Sequence, residues 1–141
     1  MCIRDRLYTA SNPDGFIFNE ILSKNQINEV IEKYINTNVS IFKGVMPSQQ
    51  SSKVHHRFKN LIVELSDVQI SVLHRITNLV GSVFLSFCIL KKNLSNKQAF
   101  ELSFLDELWQ AENWGYEEDA SVKRKKVRTE LNRLILFINC I

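Results

Sequence analysis

Residues 67–92 read DVQISVLHRITNLVGSVFLSFCILKK. Val72, Leu73, Ile76, Leu79, Val80, Val83, Phe84 and Phe87 recur there at steps of three and four. That is the spacing of one helical face, not the alternation of a strand. Ser66 and Asp67 supply capping chemistry in front, and Lys91 and Lys92 suit the negative end of a helix dipole. The pattern predicts one long helix over about 67–92. Gly81 falls in its middle, with Ser82 beside it. Glycine inside a helix costs about 1 kcal/mol relative to alanine, so close approach of another backbone is the expected reason for it. The uncharged run 79–90, LVGSVFLSFCIL, is too short for a bilayer, which needs about 20 apolar residues. A buried helix is expected instead.

The same periodicity extends in both directions. Asn12-Pro13-Asp14-Gly15 is a turn signal. Ile21, Ile27, Val30, Ile31 and Tyr34 predict a helix over 19–36, ended by Asn36-Thr37-Asn38. Residues 39–47, VSIFKGVMP, are rich in β-branched types and closed by Gly and Pro, so an extended connection is expected near 39–46. Val54, Phe58, Leu61, Ile62 and Leu65 predict a helix over 52–65. Ser95 and Gln98 form a capping box for a helix over 95–114, with Gly115 as its stop. Ala120, Val127, Leu131, Leu134 and Ile138 face inward on a last helix over 118–139. The chain is therefore expected to be all-α, a bundle of about five helices.

Composition agrees. The 141 residues are 45% apolar, with only four glycines and two prolines. A core can form at this length without disulfides or metals. The net charge of +3 is too mild to argue for a nucleic-acid partner. Cys2, Cys88 and Cys140 are odd in number and have no metal-ligand spacing. Free thiols in a reducing compartment are expected, with Cys88 and Cys140 buried in their apolar runs. The start MCIRDR has no apolar core behind its charges and is not a secretory signal.

Chemistry-bearing motifs are sparse. There is no Gly-rich phosphate loop, no nucleophile elbow and no HExxH. His55 and His56 are helix neighbours about 100° apart, a poor metal clamp. His74, near the apolar stripe, reads as structural. Lys123-Arg124-Lys125-Lys126, with Arg128, reads as the solvated face of the last helix. No enzyme activity, cofactor, metal or small-molecule substrate is expected, and neither is nucleic-acid binding or stable membrane insertion.

One segment stands apart. Residues 109–119, WQAENWGYEED, hold both tryptophans of the chain. From Gln98 to Asp119 there are seven acidic residues and no basic one. Apolar side chains of the 95–114 helix spread around most of its circumference, as in a central helix or one that meets a partner. An aromatic and acidic rim suits a protein interface.

These residues resemble a known family. LSNKQAFELSFLDELWQAENWGYEEDA is similar to the C-terminal signature of the F1-ATP synthase assembly chaperones that act on the α subunit. Leu94, Ser95, Ala99, Ser103, Gln110, Trp114, Gly115, Glu118, Asp119 and Ala120 match it in place. Gly44-Val45-Met46-Pro47 with Gln50 resembles the family's G-I-M-P-x-x-Q element. NLVGS at 78–82 resembles its T-x-x-x-G-S helix, and DRLYTASNP at 5–13 its D-L-L-x-Y-R-A-x-x-P. Lys97 and Gln98 depart from the usual acidic pair, and Tyr116-Glu117 from a more apolar one.

The resemblance implies a helical chaperone domain over 16–141, preceded by a partial boundary segment over 1–15. It also implies that the family's N-terminal β-rich domain is missing and that the first residues are not the natural start. It implies a non-enzymatic chaperone, in a bacterial cytoplasm or a mitochondrial matrix. Such a chaperone binds the unassembled F1 α subunit and covers the surface that β later contacts. Glu118 is the acidic residue it points to, with Glu117 as the neighbouring choice, and Gln110, Glu112 and Trp114 as further client contacts. Gly115, Gly81 and Ser95 are expected to be structural, and Trp114 equally fits a core anchor. A helical interaction domain with an unrelated partner is the alternative.

Overall fold

A computed structural model of the chain describes residues 24–40, 49–104, 107, 111, 114, 115 and 117–141. Among these, six helices and no strand occur: α1 Lys24–Ile35, α2 Ser52–Val63, α3 Asp67–Val80, α4 Val83–Leu90, α5 Asn96–Ser103 and α6 Glu118–Cys140. The expected helices are present, and the long one is divided.

That division is the main correction to the sequence reading. Gly81 does not lie inside one helix. It ends α3 in a left-handed conformation, φ 73°, and its N–H donates to the Thr77 carbonyl at 2.8 Å. Ser82 then turns extended and caps α4, its Oγ accepting from the Leu85 N–H at 3.3 Å. The apolar stripe continues through the break because both helices feed one core. A periodicity of side chains does not register a change of backbone hand at a single glycine.

α4 is the centre of the molecule. It packs against α1, α3, α5 and α6, and its residues from Phe84 to Leu90 are all buried. A helix apolar on every side belongs in such a place. Phe87 is fully buried, with the rings of Tyr34 and Phe58 both 5.3 Å away in edge-on contact. Phe58 also meets Phe84 at 5.0 Å. Each such pair adds roughly 0.5–1.5 kcal/mol beyond area burial. The buried hydroxyl of Ser86 donates to the Ser82 carbonyl at 2.6 Å, so it carries no unpaired proton into the core. Burial pushes the Cys88 thiol up to about 12 from its ordinary 9.0. Cys140 is exposed at the end of α6, against expectation, because its position falls outside the inward stripe. Cys2 lies outside the described residues.

α1 packs through Ile27, Ile31 and Ile35, one per turn. Asn36 ends it at φ 49°, and the Arg57 guanidinium of α2 donates to the Ile35 carbonyl at 2.8 Å and to that of Asn36. α2 starts at Ser51, whose Oγ accepts from the Val54 N–H, and buries Val54 and Phe58. Between them Val39 and Ser40 form no helix, and the rest of the expected extended connection, 41–46, lies outside the described residues. Its first end is clamped by side chains. Glu32 Oε1 accepts from the Val39 N–H at 2.7 Å. Buried Gln50 accepts from the Ser40 N–H at 2.9 Å and donates to the Ser40 carbonyl at 2.6 Å, as a neighbouring strand would.

α3 begins with a capping box, Ser66 with Gln69. α6 runs for 23 residues and buries Leu131, Ile135 and Ile138. Its ion pair with α3, Arg75 to Glu130, is exposed on both sides, where such pairs contribute about 1 kcal/mol or less. Among the described residues, no helix is long and apolar enough to cross a membrane.

Candidate functional site

The candidate site is the junction between α5 and α6. α5 opens with the Ser95 box: Ser95 Oγ accepts from the Gln98 N–H at 3.2 Å, and Gln98 Oε1 accepts from the Ser95 N–H at 3.0 Å. Ala99, Leu102 and Ser103 are buried. Phe100 stacks at a tilt on Phe104, with ring centres 5.0 Å apart. The expected helix over 95–114 is continuous to Ser103, and Glu107, Ala111 and Trp114 are helical beyond it. Gln110 and Glu112, two expected client contacts, lie outside the described residues.

Gly115 adopts φ 99°, and its N–H donates to the Ala111 carbonyl at 2.9 Å, which closes the helical turn there. A Cβ added at Gly115 would meet nothing within 4 Å, so the position needs glycine for its backbone alone. Trp114 is 74% exposed. It is therefore no core anchor; among the described residues of this turn, Ala111 is the buried one. Glu117 is the extended N-cap of α6 and makes no side-chain capping bond. Glu118 and Asp119 occupy the first turn, where the helix dipole favours negative charge. All three carboxylates are exposed, and among the described residues none is in an ion pair.

From there α6 presents two distinct sides. Glu118, Val122, Lys125, Thr129 and Leu136 follow steps of three, four and seven along the outward side. Val122 is 49% exposed and Leu136 is 62% exposed, so this stripe mixes apolar surface with charge. A shallow groove of about 710 Å³ follows it, bordered among the described residues by Val122, Lys125, Thr129 and Leu134 and their neighbours. The other side carries Glu117, Ser121, Arg124 and Arg128 and turns toward α5. The basic run is consequently not one solvated face. Lys123, Lys125 and Lys126 are exposed, but Arg124 is 8% exposed, and Arg128 stands 5.1 Å from the centre of the Phe100 ring. The position of Arg124, four residues after Ala120 and seven before Leu131, was the available signal for its burial; its basic neighbours masked it.

The histidines do not converge. His55, His56 and His74 are all exposed, so His74 is not part of the core as expected. Its position lies just off the stripe that carries Leu73 and Ile76. Among the described residues no group of three His, Cys, Asp or Glu could hold a metal ion.

No protein-family model matches the chain. Over 99 residues it is 27% identical to the mitochondrial protein atp12 of Schizosaccharomyces pombe, covering 70% of this chain and 34% of that one. The crystal structure of Atp12 from Paracoccus denitrificans superposes with a TM-score of 0.80 at 19% identity, over 96% of this chain and 63% of that one. The chain resembles Atp12 in sequence and in fold. A point mutant of the Paracoccus Atp12 gives a TM-score of 0.81 at 18% identity. Atu1473 from Agrobacterium tumefaciens, described as a candidate chaperone, gives 0.75 at 25% identity over 92% of this chain and 48% of that one. The chain thus spans about a third of the curated Atp12 it matches and under two thirds of the Paracoccus structure. The all-α bundle is the Atp12 helical fold.

Proposed function

We propose that this chain is an assembly chaperone for F1-ATP synthase. It binds the unassembled α subunit through the α5–α6 junction and shields the surface that β later occupies. The observation that carries this reading is the likeness to Atp12 in both sequence and fold, combined with the exposed aromatic and acidic junction of Trp114, Glu117 and Glu118. A large aromatic left in water beside carboxylates that are unpaired among the described residues suits a surface that is covered part of the time. Such a mixed surface binds without the fully apolar seal of a permanent interface, so a competing subunit can displace it.

Glu118 is the proposed principal client contact, and Glu117, Trp114, Glu112 and Gln110 are proposed as further contacts. Gly115 and Ser95 set the backbone on either side of the junction, and Gly81 sets the turn between α3 and α4. The proposed role is non-enzymatic. The proposed compartment is the mitochondrial matrix in a eukaryote, after the mitochondrial relative, and the cytoplasm in a bacterium. The test is capture of purified F1 α and β subunits by the chain, with aggregation of α followed by light scattering. Selective capture of α with suppressed scattering supports the reading. Capture of neither leaves a helical interaction domain with another partner.

A further inference from the structure

Arg124 is a charge placed where charges are costly. It is 8% exposed. Among the described residues its guanidinium makes one hydrogen bond, Nη2 donating to Ser121 Oγ at 3.3 Å, and pairs with no carboxylate. Guanidinium carries five donors in a rigid fork that matches a carboxylate with two parallel bonds. A buried lysine or carboxylate can shed its charge; arginine cannot. A buried charge with no counter-charge among the described residues is a standing cost, and a well-packed apolar residue of similar volume removes it. The same inward side of α6 uses Leu131, Ile135 and Ile138 for that purpose.

Its surroundings indicate what the charge is for. Ser121 is half-buried, which puts the guanidinium end of Arg124 just beneath the surface. Arg128, one turn on, is exposed over the Phe100 ring. Glu117, exposed, lies on the same side two turns before Arg124, roughly 10 Å along the axis at 1.5 Å per residue. We infer that Arg124, with Ser121, receives a carboxylate of the bound protein chain. A polyanion is disfavoured by the exposed Glu117, Glu118 and Asp119 at the same helix end. The segment that fits carries both signs: a cation to meet Glu117 and, roughly 10 Å away, a carboxylate to meet Arg124. This inference rests on the reading of the junction as the client-facing surface.

The experiment uses the full chain, its R124M and R124K variants, and unassembled F1 α subunit as the probe. Thermal unfolding and capture of α are measured on each. R124M is expected to unfold at the same or a higher temperature while binding α at least tenfold more weakly. R124K is expected to bind between the two, since an ammonium keeps the charge and loses the fork. A lower unfolding temperature for R124M means that a carboxylate of this chain already pairs with Arg124, and overturns the inference. Unchanged capture by R124M overturns it as well, and leaves the client assignment standing. Failure of the unsubstituted chain to capture α sinks the client assignment and the inference together.

Discussion

The molecule makes the same backbone device twice and dresses it in opposite ways. At Gly81 and at Gly115 a glycine of positive φ ends a helical turn, and another helix starts within three residues. At the first junction the next residue, Ser82, is buried and caps the new helix with its hydroxyl, and every residue from Phe84 to Leu90 is buried behind it. At the second, the N-cap Glu117 makes no side-chain bond, and Trp114, Glu117, Glu118 and Asp119 face solvent. Stability explains the first set of side chains and does not explain the second. A serine or aspartate at position 117 would cap α6 better than glutamate, and a tryptophan that is 74% exposed keeps most of its apolar surface out of the core. The difference separates a junction that holds the core from the one proposed to meet a partner.

The contrast is sharpest at its centre. Phe87→Ala behind the first junction is expected to cost about 3–5 kcal/mol, since the ring is fully buried between Tyr34 and Phe58. Urea unfolding reads the loss. Alkaline titration comes next. Cys88 stays a neutral thiol in the fold up to about 12, against 9.0 ordinarily. Above pH 9 the unfolded chain releases that proton and the folded one keeps it, so stability is full below pH 9 and falls as pH rises toward 12. The slope is about 1.4 kcal/mol per pH unit from this group once the unfolded thiol is ionised, and Cys88→Ala removes it from the unfolding curve.

Smaller effects separate the two glycine junctions themselves. Gly115→Ala is expected to cost about 1–2 kcal/mol, from the left-handed backbone alone, because a Cβ there meets no atom within 4 Å. Ser82→Ala is expected to cost about 1 kcal/mol for the lost cap, whereas Glu117→Ala is expected to stay within about 0.5 kcal/mol. A Glu117→Ala loss as large as that of Ser82→Ala would erase the contrast. Smallest in stability is Glu118→Lys. It is expected to leave the melting temperature nearly unchanged, since the carboxylate is exposed and among the described residues unpaired, apart from its weak dipole contribution of about 0.3–1 kcal/mol.

Much of this was legible before any coordinates. The start of α6 at Glu118 and its inward residues Leu131 and Ile138 followed from a long, strongly periodic segment. Ser95 with Gln98 announced the start of α5. The break at Gly81 was not legible, because the apolar stripe runs through it unbroken and only the backbone changes hand. Burial of Arg124 was hidden by the lysines around it, and the Gln50 clamp on Ser40 depends on a fold that brings residues ten apart side by side. The acidic and aromatic character of the junction was plain in the sequence. That Trp114 faces outward was not, since a tryptophan beside a glycine stop serves equally well as an anchor.

The account stands on whether the second junction binds the client. The direct measurement is the affinity of the full chain and of its Glu118→Lys variant for unassembled F1 α subunit, with melting temperatures of both recorded alongside. The account predicts selective binding of α over β by the unsubstituted chain, and at least a tenfold loss in the variant with the melting temperature held. Equal binding by both proteins, or a variant that unfolds early, would contradict it and make Glu118 a residue of the helix start alone.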